Sequence, residues 1–555
     1  MCGICVTYGF SPEESTDALG NLAARGPDDF CMRIFKSVSN ADIFAGFSLL
    51  SIMGSEVSER GEVSERVEAQ EQPFVSEDSS RVIMCNGEIY NSLELARDQN
   101  LGTPAPGSSD CAVIPQLLVI RDLGHGRVCR MLDGDFAIVD IDTVAGTVTL
   151  ARDPYGVRPL YFAQYDGIRW AVASELKGLP VGATTVSHVV PGTVETRRMA
   201  GGGELLFHYQ YHQVPWLKSS GTYFSSTMYS LIREVLWQAV AKRLQAGEGR
   251  HIGACLSGGL DSSLVAAIAA KELLASGRKL HTYSVGMSGS ADLAFARTVA
   301  DHIGSEHHEF LLNPEGCVAD IPEVIRAIES FDVTTVRASV GNYNVGALVQ
   351  IVNAETPGLN VRVVLNGDGA DELLGGYLYM REAPNDAAFE EETTSLLENL
   401  HLFDVLRSER SMAAHGLESR SPFLDRQFVS LMRGLPTAML RSHPDVMEKT
   451  VLRSAFSGCG LLPESVLWRR KEAFSDGMSG SETGSWFAIA RLAAIEATQG
   501  RYENGVEAEK AWYRSIFVGH YGEVCEAAAT PHYWMPKFVP GITDPSARNL
   551  PGYGN

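Results

Sequence analysis

Several things are scarce in this chain, and each scarcity closes off a class of protein. No apolar run approaches the roughly 20 residues that a membrane-spanning helix needs. The first ten residues do not couple a basic segment to an apolar one, so no secretory leader is expected. Positive charge is short: 46 Lys and Arg against 68 Asp and Glu leave a formal net charge of −22. That balance argues against broad binding to nucleic acid or anionic membranes, and leaves small anionic ligands to local sites. Ten cysteines are spread thinly through 555 residues, without the paired spacing of a disulfide framework. Cys2 and Cys5 have CxxC spacing but no second pair, which is weak grounds for zinc. Reduced thiols suit a cytoplasmic protein.

What is present is an ordinary globular composition in a chain too long for one core, so two or more domains are expected. It begins "MCGICVTYGF". Removal of Met1 would leave Cys2 with a thiol and a free α-amine on one residue. These groups titrate near about 8.5 and about 8, so the amine can take the thiol's proton close to neutrality. In an arbitrary chain the same cysteine is only a small residue after methionine.

The first 200 residues alternate short apolar runs with Gly, Asp and Asn turns. Examples are "RVIMCNGEIY", "GDFAIVDID" and "GTVTLARD", which read as strands of an antiparallel sheet. "SSDCAVIPQLLVIRDLG" reads as a helix opened by Ser and Asp caps. Beyond residue 205 the texture changes. "TMYSLIREVLWQAVAKRL" is an amphipathic helix. "RHIGACLSGGLDSSLVAAIAAKELL", "KLHTYSVGM" and "VRVVLNGDG" are apolar strands, two of them running into glycine turns. This is the pattern of a parallel sheet with ligands at the strands' C-terminal ends.

"LSGGLDSS", Leu256 to Ser263, is the most informative stretch. Its glycines let backbone approach a ligand closely, and its hydroxyls and helix N-terminal N–H groups make an anion site. Asp261 adds a carboxylate, which beside phosphate usually means Mg²⁺. The stretch resembles the pyrophosphatase loop of enzymes that cleave ATP to AMP and pyrophosphate. A second acidic turn, "NGDGADELLGGY" (Asn366–Tyr377), offers Asp371 as another magnesium carboxylate.

Cys2 at one end and SGGLDSS at the other resemble the layout of the glutamine-dependent asparagine synthetases, over almost the whole chain. "ARGPDD" (Ala24–Asp29), "NGEIYN" (Asn86–Asn91), "SDC" (Ser109–Cys111) and "ARDPYGVRPLYF" (Ala151–Phe162) resemble the glutaminase domain of that family. "SFDVTTVRAS" (Ser330–Ser339), "AAHGLESRSPFLD" (Ala413–Asp425), "WRRKEAFSDG" (Trp468–Gly477) and "HYWMPKFVPGITDPSAR" (His532–Arg548) resemble its synthetase domain. The resemblance implies that Cys2 attacks the glutamine amide, and that Asn86 and the Gly87 N–H hold the oxyanion. Asp110 would hold the substrate α-ammonium, with Glu88 nearby. Ammonia would pass through an internal tunnel. ATP would lie against Leu256, Ser257, Gly258, Gly259, Asp261 and Ser262, with Val285, Asn366 and Gly367 around the nucleotide. Asp261 and Asp371 would hold Mg²⁺. Aspartate would become β-aspartyl-AMP, near Thr334, Thr335 and Arg337 and with Asp368 and Lys471 acting in catalysis. Lys449 and Lys471 match cationic positions facing phosphates; as lone lysines they also read as solvated charges.

The chain departs from the family in places. Leu49, in "GFSLLSIMG", stands where the family has the arginine that clamps the glutamine α-carboxylate, and Ser48 stands for the residue before it. Leucine cannot replace a bidentate guanidinium. Residues Ser55–Glu71, with a duplicated "EVSER", read as an insertion at the rim of that pocket. Either Arg60 or Arg66 substitutes from it, or the insertion is an acidic loop beside a weakened glutaminase. Ala24 replaces the usual His, Ala370 a Ser, and Asp368 a Glu.

The expected fold is an α+β N-terminal-nucleophile hydrolase domain, stacked antiparallel sheets between helices, over 1–205. An α/β parallel-sheet ATP-pyrophosphatase domain follows over 220–540, and 541–555 form a loose tail. The leading reading is ATP-dependent asparagine synthesis with glutamine as nitrogen donor. The alternatives are use of free ammonia, amidation of another carboxylic acid, and a non-enzymatic sensor or assembly partner. Family members are often dimeric through the glutaminase domain; the sequence itself carries no sign of a homodimer.

Overall fold

The computed structural model describes residues 1–53, 72–102, 108–121, 123–215, 226–247, 250–443, 446–472 and 474–545. Among the described residues, twelve strands precede residue 215: β1 (Gly3–Tyr8), β2 (Asp29–Lys36), β3 (Asp42–Leu49), β4 (Phe74–Val75), β5 (Arg81–Ile89), β6 (Gly134–Asp142), β7 (Thr147–Arg152), β8 (Tyr161–Gln164), β9 (Trp170–Ala173), β10 (Thr185–His188), β11 (Thr193–Arg198) and β12 (Leu205–Gln210). They form two antiparallel sheets, ordered β10-β8-β9-β1-β3-β2 and β12-β11-β7-β6-β5-β4. Side chains alternate faces along a strand, and the sheets stack accordingly. Ile4, Val6 and Tyr8 of β1 meet Val82, Met84 and Val139 of the facing sheet. Cys5, on the other face of β1, packs on Ala18 and Leu19 of the helix Pro12–Gly20. Ile83 and Cys85 face outward from the second sheet, against Val113, Ile114 and Leu117. The result is two sheets between helical layers, as the sequence predicts.

The segment expected as one helix after Ser109 is instead three short pieces: a 3₁₀ turn (Asp110–Ala112), a helical turn (Val113–Pro115) and a π-helical turn (Gln116–Ile120). Pro115 has no N–H to give to the helical ladder, which breaks its regularity. The cap expected at its start is present: the Ser109 hydroxyl accepts from the Cys111 N–H at 3.3 Å.

Five strands follow among the described residues: β13 (His251–Cys255), β14 (His281–Met287), β15 (Glu306–Leu312), β16 (Val361–Leu365) and β17 (Glu418–Arg420). They form one wholly parallel sheet, ordered β15-β14-β13-β16-β17. β13 and β16 are neighbours, so the two acidic glycine turns that leave their C-terminal ends lie side by side. The amphipathic helix expected after residue 225 spans Ser226–Lys242. No helix among the described residues is long and apolar enough to cross a membrane.

A buried lattice of charges joins the two halves. Arg25 pairs with Glu175 at 2.5 Å and with Glu409 of the helix Asp404–Ala413. Arg410 pairs with Glu329, whose carboxylate also accepts from the Leu176 and Lys177 N–H groups at 2.8 and 2.9 Å. Arg243, directly after the helix Ser226–Lys242, lies 3.0 Å from Asp425 and 3.7 Å from Asp135 of β6 in the first half.

Two candidate active sites

Cys2 sits just before β1. Its N–H donates to Asn86 Oδ1 at 3.0 Å, and its carbonyl accepts from Arg25 Nε at 2.9 Å. The first bond fixes the Asn86 amide. Its oxygen faces the Cys2 backbone, so Nδ2 points away as a donor. That Nδ2 is buried and has no hydrogen-bond partner. An unpaired buried donor beside a thiol is ready for an oxyanion. Gly87 is forced by the sheet: a Cβ there would lie 2.1 Å from the Asp135 carbonyl oxygen on β6.

Burial pushes the Cys2 thiol up to about 11, and burial also lowers the α-ammonium of Met1, which lies 3.6 Å from Glu418. With Met1 in place the thiol is therefore a poor nucleophile. Asp110 accepts from the Ile89 N–H, and burial brings its carboxyl up to about 6. Burial, followed by the charge of Asp110, pushes Glu88 well above the usual carboxylate range. Glu88 reaches Arg420 of β17 at 3.2 Å. Glu418 and Arg420 thus bring the second half of the chain into the first site. Leu49 ends β3, half-buried and paired with Asp29. Arg60, Arg66 and the whole of the expected insertion, Ser55–Glu71, lie outside the described residues.

The second site is a cavity at the C-terminal ends of β13 and β16. Leu256, Ser257, Gly259, Asp261 and Ser262 line it with Val285, Asn366, Gly367, Asp368, Asp371 and Lys471. The Ser257 and Ser262 hydroxyls lie 3.0 Å apart, and Ser262 Oγ accepts from the Ser257 N–H at 3.2 Å. Gly258 takes a φ of +68°, and a Cβ on it would meet the Ala296 N at 2.5 Å. Gly367 passes so close that its Cβ would lie 2.8 Å from the Ser262 N. Only glycines let these turns touch each other and their neighbours. Asn366 is held by Ser419 and Ser421, at 2.7 and 2.8 Å.

Lys449 joins the two magnesium candidates. Its Nζ is 2.5 Å from Asp261 and 2.6 Å from Asp371, while Lys471 is 2.9 Å from Asp371. Although burial opposes ionisation there, the two lysines hold the Asp371 carboxyl well below the usual range. Asp261 Oδ1 is buried without a hydrogen bond. Two carboxylates with a spare hard oxygen fit a Mg²⁺ that completes its shell with phosphate oxygens. Among the described residues, no group of three acids, histidines or cysteines could hold a metal unaided. Asp368 lies 3.3 Å from Arg407, and burial raises its carboxyl.

Thr334, Thr335 and Arg337 do not line this cavity. They open the helix Val333–Glu355, where Asp332 accepts from the Thr335 N–H at 2.8 Å and the Thr334 hydroxyl at 2.6 Å. Arg337 is buried against Glu509 and lies 3.3 Å from Asp544. Asp544 falls in the expected loose tail; it is buried and paired, and 546–555 lie outside the described residues. Arg337→Met is expected to cost about 3–5 kcal/mol of stability, because Glu509 loses its cation in a dry site. Chemical denaturation checks this.

Sequence reasoning passed over Arg407, Asp404, Tyr377 and Arg469, all of which line the cavity. Arg407 reaches Asp404 at 2.6 Å, and the Tyr377 hydroxyl lies 2.5 Å from Glu372 and 3.0 Å from Asp404. Asp404 and Arg407 are an i,i+3 pair, indistinguishable in sequence from a surface ion pair.

Comparison with known proteins finds matches in both halves of the chain. The asparagine synthase family model matches residues 231–395 and 381–523, and a glutamine amidotransferase domain model matches 59–180. The glutamine-hydrolysing asparagine synthetases of Gallus gallus and Homo sapiens are each 37% identical, over 100% of this chain and 99% of theirs. Among solved structures, a glutamine phosphoribosylpyrophosphate amidotransferase from B. subtilis is 17% identical. It covers 57% of this chain and 91% of its own, with a TM-score of 0.32.

Proposed function

The chain belongs to the asparagine synthetase family, and from that membership and the two sites we infer that it makes asparagine from aspartate, ATP and glutamine. The observation that carries the reading is the Cys2–Asn86 pair in the first half of a chain whose second half sets the SGGLDSS turn and Asp371 around one cavity.

At the first site Cys2 is the nucleophile once Met1 is removed. The new α-amine then takes the thiol proton. Asn86 Nδ2 and the Gly87 N–H stabilise the tetrahedral oxyanion, and Asp110 holds the substrate α-ammonium, with Glu88 beside it. At the second site the Leu256–Ser262 turn cradles the ATP phosphates, and Val285, Asn366 and Gly367 contact the nucleotide. Asp261 and Asp371 would hold Mg²⁺, which when bound neutralises phosphate charge. Lys471 faces the pyrophosphate leaving group, and Asp368 stands where aspartate is activated to β-aspartyl-AMP. Thr334, Thr335 and Arg337 order the wall from behind, through the helix whose Asn342 and Val345 line the cavity. All ten cysteines are unpaired, which supports a reducing, cytoplasmic setting. Pairing of two copies is part of the proposal. Edge strand β2 exposes Phe30 and Ile34, and sedimentation as a monomer would remove this part.

One observation favours a second reading, in which ammonia is the nitrogen source: Leu49 offers no charge to a glutamine carboxylate. The test measures asparagine and pyrophosphate from aspartate and MgATP, with glutamine or ammonium supplied. Comparable rates mean a working glutaminase. Activity with ammonium alone means that the thiol site is a remnant. No asparagine from either source overturns both readings.

Asp110 sets a pH dependence. Its carboxyl titrates at about 6, so it is charged above that pH and loses its grip on an ammonium below it. Glutamine-dependent kcat/KM is expected to fall by about tenfold per pH unit below about 6. The ammonium-driven rate, corrected for free ammonia, does not follow that slope.

A further inference from the structure

Lys449 is an unusual neighbour for two carboxylates assigned to a metal. Its side chain is 1% exposed, and its Nζ touches both Asp261 and Asp371. Its backbone has a φ of +57°, a left-handed conformation rare outside glycine, at the start of the helix Thr450–Phe456. The helix fixes it there: the Arg453 N–H donates to the Lys449 carbonyl at 3.0 Å. Gly376 packs on its stem, so closely that a Cβ would lie 2.1 Å from Lys449 Cε and from Asp371 Oδ1. Lys471 closes the far side of Asp371.

The charges in this gap balance without any metal: two carboxylates against two ammoniums. A bare divalent ion would enter beside two ammoniums with no anion to offset it. A nucleotide's phosphates reverse that balance, because they give Lys449 another partner and free Asp261 and Asp371 for the ion. We propose that Lys449 is an internal counter-cation that keeps divalent metal out of the Asp261–Asp371 gap until nucleotide phosphates draw the lysine away. This rests on the ATP reading above. It makes nucleotide a requirement for metal entry, so the site does not fill with metal alone.

The test uses the full chain and Mn²⁺ as probe, with bound and free ion separated by electron paramagnetic resonance. The wild-type protein is expected to take up Mn²⁺ with a non-hydrolysable ATP analogue and to bind it at least about tenfold more weakly without one. Lys449→Met and Lys449→Gln are expected to bind Mn²⁺ without nucleotide at least about tenfold more tightly than wild type. Mn²⁺ should also raise their melting temperature, and adding Asp261→Asn should abolish both gains. Equal Mn²⁺ affinity of the wild type with and without the analogue overturns the proposal, and needs no variant to fold. So does failure of both Lys449 variants to bind more tightly than wild type. A wild type that binds no nucleotide refutes the ATP reading itself, an outcome that direct titration with the analogue distinguishes.

Discussion

Cys2→Ala protein makes no asparagine from glutamine and keeps its ammonium-driven rate. The thiol is the nucleophile of the first site, and no other cysteine can take its place. Cys5 points into the helix-facing side of β1, and burial pushes its thiol up to about 12. Alanine leaves the Cys2 N–H on Asn86 and the Cys2 carbonyl on Arg25, because both bonds are made by backbone. The expected loss of glutamine-dependent kcat is about a thousandfold or more. The ammonium-driven rate stays within about twofold, since the second cavity is unchanged. Steady-state rates with each nitrogen source check this. A matched fall in both would mean that Cys2 matters to folding and not to chemistry.

Asp371→Asn is expected to abolish synthesis with either nitrogen source, by about a thousandfold or more. The carboxylate meets Lys449 and Lys471 together. An amide keeps the shape but loses the charge that orients both lysines and supports a metal. The protein should still fold, because Asp261 retains its ion pair with Lys449. Glutamine hydrolysis without synthesis should persist, because Asp371 lies at the other site. Glutamate release alongside absent pyrophosphate is the diagnostic pair of measurements. Retained pyrophosphate formation would remove Asp371 from the phosphate machinery.

Much of this was legible in the residues, for a local reason. The turn Leu256–Ser262 places glycines, hydroxyls and a carboxylate within a few residues after an apolar strand, and Asn366–Asp371 does the same with glycines and two carboxylates. Their chemistry is therefore written contiguously. Apolar runs between Gly, Asp and Asn turns likewise announced antiparallel sheet, and the stacking of two sheets followed from the family resemblance. What was not legible depends on distance along the chain. Arg420 and Glu418 reach the thiol site from β17, and no spacing rule connects residue 418 with residue 1. Arg407 hides as one half of a helical pair. Arg337 reads as a substrate contact by resemblance, yet its partners Glu509 and Asp544 lie more than 170 positions away. Pro115 was visible, and its effect on the helix follows from its missing N–H.

The charge lattice between the halves has a consequence for how the molecule comes apart. Arg25, Glu175, Glu329, Glu409 and Arg410 are each buried, and the pairs Arg25–Glu409, Arg410–Glu175 and Lys177–Glu329 cross the divide. Neither half can expose its share without stranding unpaired ions in apolar surroundings. The halves are therefore not separable modules. A gene cut near residue 215 would yield two fragments, each with an unfinished face, and the intact chain should melt in one cooperative step.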